Sequence, residues 1–240
     1  MRVLYACESG SRAWGFASRD SDYDVRFLYA HPVDWYLSID VDARRDVIEC
    51  PLDAVWDVNG WDLRKALALL WKSNPPLLEW LVSPIVYREE PGFAARLRAL
   101  AAPYRSDRAC RLHYLHMAKG NHREYLKGEV VWRKKYFYLL RPLLACRWIE
   151  RGLGPVPVEF EALLPRVGLG DDVLEAIARL LAEKRAGDEL GKGPADPVLN
   201  AFIDAERARQ EAAVAALAAE ARPGTAPLDE FFRDVIGGRI

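Results

Sequence analysis

The sequence predicts an α+β fold, with a mixed strand-and-helix part over residues 1–100 and a helical part over residues 101–240. Two observations carry that division. The first part alternates short apolar, strand-like runs with helical segments, whereas the second repeats apolar residues at helical spacing. Val3, Leu4, Tyr5 and Ala6 open a strand that breaks at Ser9-Gly10-Ser11. A small-residue loop follows, then a second strand in which Asp22, Asp24 and Arg26 alternate with Tyr23, Val25 and Phe27, until His31-Pro32 ends it. Further strands are expected at Asp46 to Cys50 and Ala54 to Val58, with Asn59-Gly60 as a turn. A helix is expected from Trp61 to Trp71, with Asp62 favouring its N-terminal end and Leu63, Ala66, Leu67 and Leu70 on its buried face. Ser73-Asn74-Pro75-Pro76 stops it, and a shorter helix runs from Leu77 to Leu81.

In the second part, residues 107–127 and 129–152 read as two helices meeting near Gly128. Tyr136, Leu139, Leu140, Leu143 and Leu144 share a face of the latter, and Pro142 predicts a kink. Pro155-Val156-Pro157 is an extended connector. Phe160 to Leu164, Asp171 to Arg185 and Pro197 to Ala221 read as helices, the last an Ala-rich outer one. The tail PLDEFFRDVI is expected to cap the domain or to pair with a second copy.

Composition narrows the class. The 240 residues can bury a sizeable core, and about half are hydrophobic, with eight Trp and ten Tyr, which excludes a disordered chain. Cys7, Cys50, Cys110 and Cys146 lie far apart without C-x-x-C spacing and read as free thiols. With no signal peptide before Val3 and no apolar run long enough to span a bilayer, a cytoplasmic location and no membrane partner are expected. The formal net charge of −1 does not by itself mark a nucleic-acid binder.

The chemistry concentrates near the N-terminus. Side chains two apart on a strand share a face, so Asp22 and Asp24 are expected side by side. Carboxylates that close repel each other unless a cation intervenes, and a buried carboxylate is costly without a partner. Hard divalent ions such as Mg2+ use one or two carboxylates together with substrate phosphates. Backbone N–H groups and the hydroxyl of Gly10-Ser11 are suited to phosphate oxygens. An isolated Asp pair near a turn is most often solvated; here the pair sits in an apolar, aromatic run. Together these parts suggest a metal-assisted nucleotidyl-transfer site.

The arrangement of strand, Gly-Ser, loop and Asp-x-Asp on the next strand resembles the nucleotidyltransferase superfamily of DNA polymerase β, kanamycin nucleotidyltransferase and the CCA-adding enzymes. ACESGSRAWGF, SDYDVRF, GWDLRKAL, LLEWLVSPIVY and KKYFYLLRPLLACRW narrow the likeness to RlaP, predicted nucleotidyltransferases often found beside RNA ligases. The resemblance extends over most of the chain, GDELG at Gly187 to Gly191 included. It implies a polymerase-β-like catalytic core over 1–100, a small mixed sheet with helices, followed by an α-helical C-terminal domain over 101–240. It also implies that Asp22 and Asp24 bind metal and that Gly10 and Ser11 hold phosphate, with Arg12 assisting. Such sites need a third carboxylate from the strand beside Asp-x-Asp; Asp57 is the first choice, with Glu49 and Asp53 as rivals.

Nine basic residues lie between Arg105 and Lys135, opposed only by Asp107, Glu124 and Glu129, with His113, His116 and His122 among them. A solvated basic face is the plain reading. The functional one is a positive wall for a triphosphate, with Lys134 and Lys135 neutralising departing pyrophosphate. His113 and His116 lack a third ligand for a metal, and Glu183, Lys184, Asp188 and Glu189 read as surface charge. The expected activity is transfer of a nucleoside monophosphate from an NTP, with Mg2+ or Mn2+, onto RNA ends, an RNA ligase being a further expected partner. A small-molecule or protein acceptor and a non-catalytic nucleotide-binding module are the alternatives.

Overall fold

The computed structural model describes residues 1–51, 55–187, 190–218 and 220–239. In chain order the elements are β1 (Arg2–Glu8), α1 (Gly10–Ala13), β2 (Tyr23–Ala30), α2 (Val33–Tyr36), β3 (Val47–Pro51), β4 (Trp56–Asp62), α3 (Leu63–Trp71), α4 (Pro75–Trp80), β5 (Val86–Glu89) and α5 (Phe93–Ala101). Then come α6 (Asp107–Tyr125), β6 (Val130–Trp132), α7 (Lys135–Glu150), α8 (Phe160–Leu163), α9 (Asp171–Ala186), β7 (Lys192–Pro194), α10 (Pro197–Ala215) and α11 (Ala226–Ile236).

The fold is α+β, and the chain forms two compact units that interleave along the sequence. One comprises Met1–Ala13, Asp22–Arg105 and Ala221–Ile240, the other Trp14–Ser21 and Ser106–Glu220. The expected single cut near residue 100 is therefore corrected at two places. Helix α11 puts Leu228, Phe231 and Val235 into the same core as Leu4, Leu28 and Leu97, so the tail belongs with the N-terminal part. Residues 14–21 belong with the helices, because the Phe16 ring stacks on Phe137 at 4.3 Å and meets Phe160 edge-on.

The first unit is built on a five-stranded mixed sheet, order β3-β4-β2-β1-β5 among the described residues. β2 runs antiparallel to β1 and parallel to β4, in a register that sets Asp24 level with Asp57. One face of the sheet carries the main core, where Leu63, Ala66, Leu67 and Leu70 of α3 are buried as the helical spacing predicts. Asp62 caps α3, its carboxylate accepting from the Arg64 N–H at 2.8 Å, and Asn74 caps α4 from the Leu77 N–H at 3.1 Å. The other face holds a smaller cluster of Ala6, Phe27 and Tyr29, with Val58 and Ile48 packed against it.

Asn59-Gly60 is not a turn: β4 runs straight through it. Gly60 is there because the Phe27 ring lies where a Cβ would stand, 2.2 Å from the ring's carbon atoms. The second unit packs α6 to α10 with a two-stranded ladder of β6 and β7. Val130-Val131-Trp132, expected inside a helix, is a β-strand, in keeping with its β-branched and aromatic composition. Cys7, Cys110 and Cys146 are buried and Cys50 partly so, all four as free thiols. Among the described residues no helix is long and apolar enough to cross a membrane.

Candidate active site

The end of β1, the single turn α1 and the start of β2 bring the first set of residues together. Glu8, 1% exposed, ends β1. Its Oε1 accepts the Asp24 backbone N–H at 2.7 Å and its other oxygen accepts the Tyr87 hydroxyl. The Ser9 N–H donates to the Asp24 carbonyl at 2.9 Å, so the backbone of Asp24 is held from both sides by the chain leaving β1. Gly10 follows at φ +55°, in the left-handed region. A Cβ on it would lie 1.7 Å from Asp24 Oδ2, so the main chain of the turn rests directly against this carboxylate. That contact explains why the turn needs glycine at this place.

Asp22 stands one residue before β2 and is exposed, a correction to its expected place inside the strand. Asp24 is in the strand and largely buried, its side chain 16% exposed. Asp57 lies level with it on the parallel neighbour β4, with 56% of its side chain exposed. Arg26, two residues beyond Asp24 on the same strand face, joins the pair. Its Nη2 donates to Asp24 Oδ1 at 2.9 Å and to Asp57 Oδ2 at 2.7 Å, while Nη1 donates to the Asp57 carbonyl at 2.8 Å.

Burial pushes the Asp24 carboxyl up from 3.8 to about 6; Arg26 opposes this, and the charges of Asp22, Asp57 and Glu8 add to it. One guanidinium therefore leaves the site with an excess of negative charge. Among the described residues no three Asp, Glu, His or Cys side chains are gathered as a ready-made metal cage, because here the carboxylates are arranged around a guanidinium.

Arg12 donates from Nε to the Asp22 carbonyl at 3.0 Å and lies 3.7 Å above the Tyr23 ring, which stacks on Trp56 at 4.5 Å. Ser11 is buried in the one-turn helix. Of the rivals to Asp57, Glu49 sits one strand further out, paired with Arg45 at 2.9 Å, and Asp53 lies outside the described residues. Lys134 and Lys135 belong to the second unit, at the N-terminal end of α7, with Lys135 Nζ over the Tyr125 and Tyr138 rings.

Asp188 and Glu189 lie outside the described residues, and Glu183 is paired with Arg133. Lys184, expected at the surface, is 1% exposed, and its Nζ donates to Ser18 Oγ at 3.0 Å. Sequence reasoning missed Glu8 and the bridging role of Arg26. A charge closing an apolar strand just before Ser-Gly-Ser, and a basic residue two beyond Asp24, were the available signals.

Residues 1–234 match RlaP, the RNA repair pathway DNA polymerase beta family. The chain belongs to this family. It is also 44% identical over 236 residues to the uncharacterized protein YcgL of Bacillus subtilis (strain 168), covering 98% of this chain and 90% of the relative. The five-stranded mixed sheet with its helices accords with the polymerase-beta relationship in the family's description.

Proposed function

We propose that this RlaP-family chain is a metal-dependent nucleotidyltransferase, moving a nucleoside monophosphate from an NTP to a hydroxyl on an RNA end with release of pyrophosphate. The observation that carries the reading is the main chain of Gly10 set against the Asp24 carboxylate, with Asp57 level on the next strand. The donors suit a hard divalent ion: Asp24 and Asp57, level on neighbouring strands, supply the carboxylates, the exposed Asp22 before β2 adds a further one to the metal when it is bound, and substrate phosphates supply the remaining oxygens. When bound, Mg2+ or Mn2+ supplies Lewis-acid neutralisation of the phosphate charge.

The residues do the rest. Gly10, Ser11 and Arg12 form a single helical turn, and the backbone N–H groups and hydroxyl of such a turn suit phosphate oxygens. Arg12 adds a fixed positive charge. Asp57 takes the acceptor proton at Oδ1, since Oδ2 is engaged by Arg26.

The test is incubation with each α-labelled NTP, Mg2+ or Mn2+ and RNA carrying free hydroxyl ends. Metal-dependent pyrophosphate release with label on RNA is expected. Label on protein or a small molecule would reassign the acceptor. One observation favours a second reading, a non-catalytic nucleotide-binding module: Arg26 already neutralises part of the charge that a metal would. Nucleotide binding without pyrophosphate release from any NTP would select it.

A further inference from the structure

Helix α6 carries His116, Lys119, Gly120, Arg123 and Lys127 or flanks them closely, at spacings that place them along one face. With His122 and Arg207 of α10 they line a cavity of about 400 Å³ inside the second unit. Its acidic neighbours are few: Asp204 faces His122 at 3.2 Å and Arg207 at 3.5 Å, and Glu211 pairs with Arg207 at 3.4 Å. Among the described residues no ion pair engages Lys119, Arg123 or Lys127, and all three are exposed.

Gly120 adds an independent observation. It sits in the interior of a 19-residue helix at an ordinary helical φ, where glycine is the poorest choice after proline. Nothing lies within 4 Å of where its Cβ would be, so no packing against the protein calls for a missing side chain. A bare stretch of main chain on the lining of a cationic cavity is what close approach by a ligand requires.

We infer that this cavity seats the sugar-phosphate backbone of a single RNA strand, with Lys119, Arg123 and Lys127 on phosphates and Gly120 beneath the strand. The inference rests on the RNA reading above and gives it a binding surface. The basic row from His116 to Arg123 spans roughly 10 Å along the helix, with Lys127 just past its end, a length that successive phosphates of a strand fill and a single phosphate does not.

The experiment titrates the full chain, without NTP or metal, into a fluorescein-labelled single-stranded oligoribonucleotide and reads anisotropy at several salt concentrations. Replacing Lys119, Arg123 and Lys127 together by Ala is expected to weaken binding about 10-fold or more, and to flatten the log–log salt slope by about 2, roughly 0.7 for each lost phosphate contact. Gly120→Ala is expected to raise Tm while weakening RNA binding, two effects of opposite sign that a purely structural glycine would not give. Unchanged affinity and slope in the triple variant would overturn the inference. So would inorganic tripolyphosphate competing as well as RNA at equal phosphate concentration, which would mark a small-anion site. Binding here without any transfer activity would sink the catalytic reading alone. Transfer to RNA with undiminished affinity in the triple variant would sink this one alone.

Discussion

Two buried carboxylates in this molecule are shifted in opposite directions. Asp24, in the first unit, has one arginine, Arg26, which it shares with Asp57, and three acidic neighbours. Glu206, in the second unit, is 2% exposed. It accepts from Arg147 at 2.7 Å, from Arg209 at 3.0 and 2.8 Å and from Gln210 at 2.9 Å. Burial alone would raise Glu206, but the hydrogen bonds from Arg209, Arg147 and Gln210 outweigh it and leave its carboxyl below the usual value. At Asp24 burial wins and the value rises to about 6. The first arrangement is short of positive charge; the second is saturated and holds helices α7 and α10 together.

The sharpest way to break this contrast is to remove each carboxylate. Asp24→Ala is expected to lower pyrophosphate release by about 1,000-fold or more with the fold retained by circular dichroism; normal turnover would end its assignment to the active centre. Glu206→Ala is expected to cost about 3–5 kcal/mol in denaturant unfolding, because Arg147 and Arg209 lose their buried acceptor.

The pH dependences should also run in opposite senses. Folded Asp24 keeps its proton up to about pH 6, against 3.8 as an ordinary carboxyl. Its stabilising protonated form is fully present below 3.8 and lost as the pH rises through 6. Asp24→Asn should therefore gain on the order of 2–3 kcal/mol over the wild type above pH 6, and little below pH 4. Glu206 behaves inversely: its contribution is present above the ordinary value of 4.5 and disappears as the pH falls through its lower folded value. Tm measured against pH for wild type, Asp24→Asn and Glu206→Gln would test both slopes. The smallest expected effect is that of Gly10→Ala, about 1–3 kcal/mol of strain from the left-handed φ and the clash with Asp24, read by thermal melting.

Period-two alternation and the Gly-Ser break made the first two strands and the place of Asp24 in the second legible, though not Glu8 or the position of Asp22 before the strand, and helical spacing gave the buried face of α3 residue for residue. What failed had tertiary causes. Asn59-Gly60 has the local text of a turn, but the glycine makes room for a ring from the neighbouring strand. Val130 to Trp132 lay inside a helical pattern, yet pairs with Lys192–Pro194 some sixty residues away. Arg26 was visible as a residue, but not as a bridge, because the parallel register of β2 and β4 that sets Asp57 beside it is not written in either strand alone.

The eight residues from Trp14 to Ser21 join the glycine turn to Asp22, yet they are anchored among the helices: Phe16 on Phe137, the Trp14 carbonyl on the Phe160 N–H, and Ser18 on Lys184. The backbone thus passes from one unit to the other at 13/14, 21/22, 105/106 and 220/221. No single truncation yields either half whole. A fragment ending at 105 would lose both α11 and everything that grips this connecting stretch. The first unit can close its own core only once residues 106–220, which belong to the second, have been made and residues 221–240 have followed them.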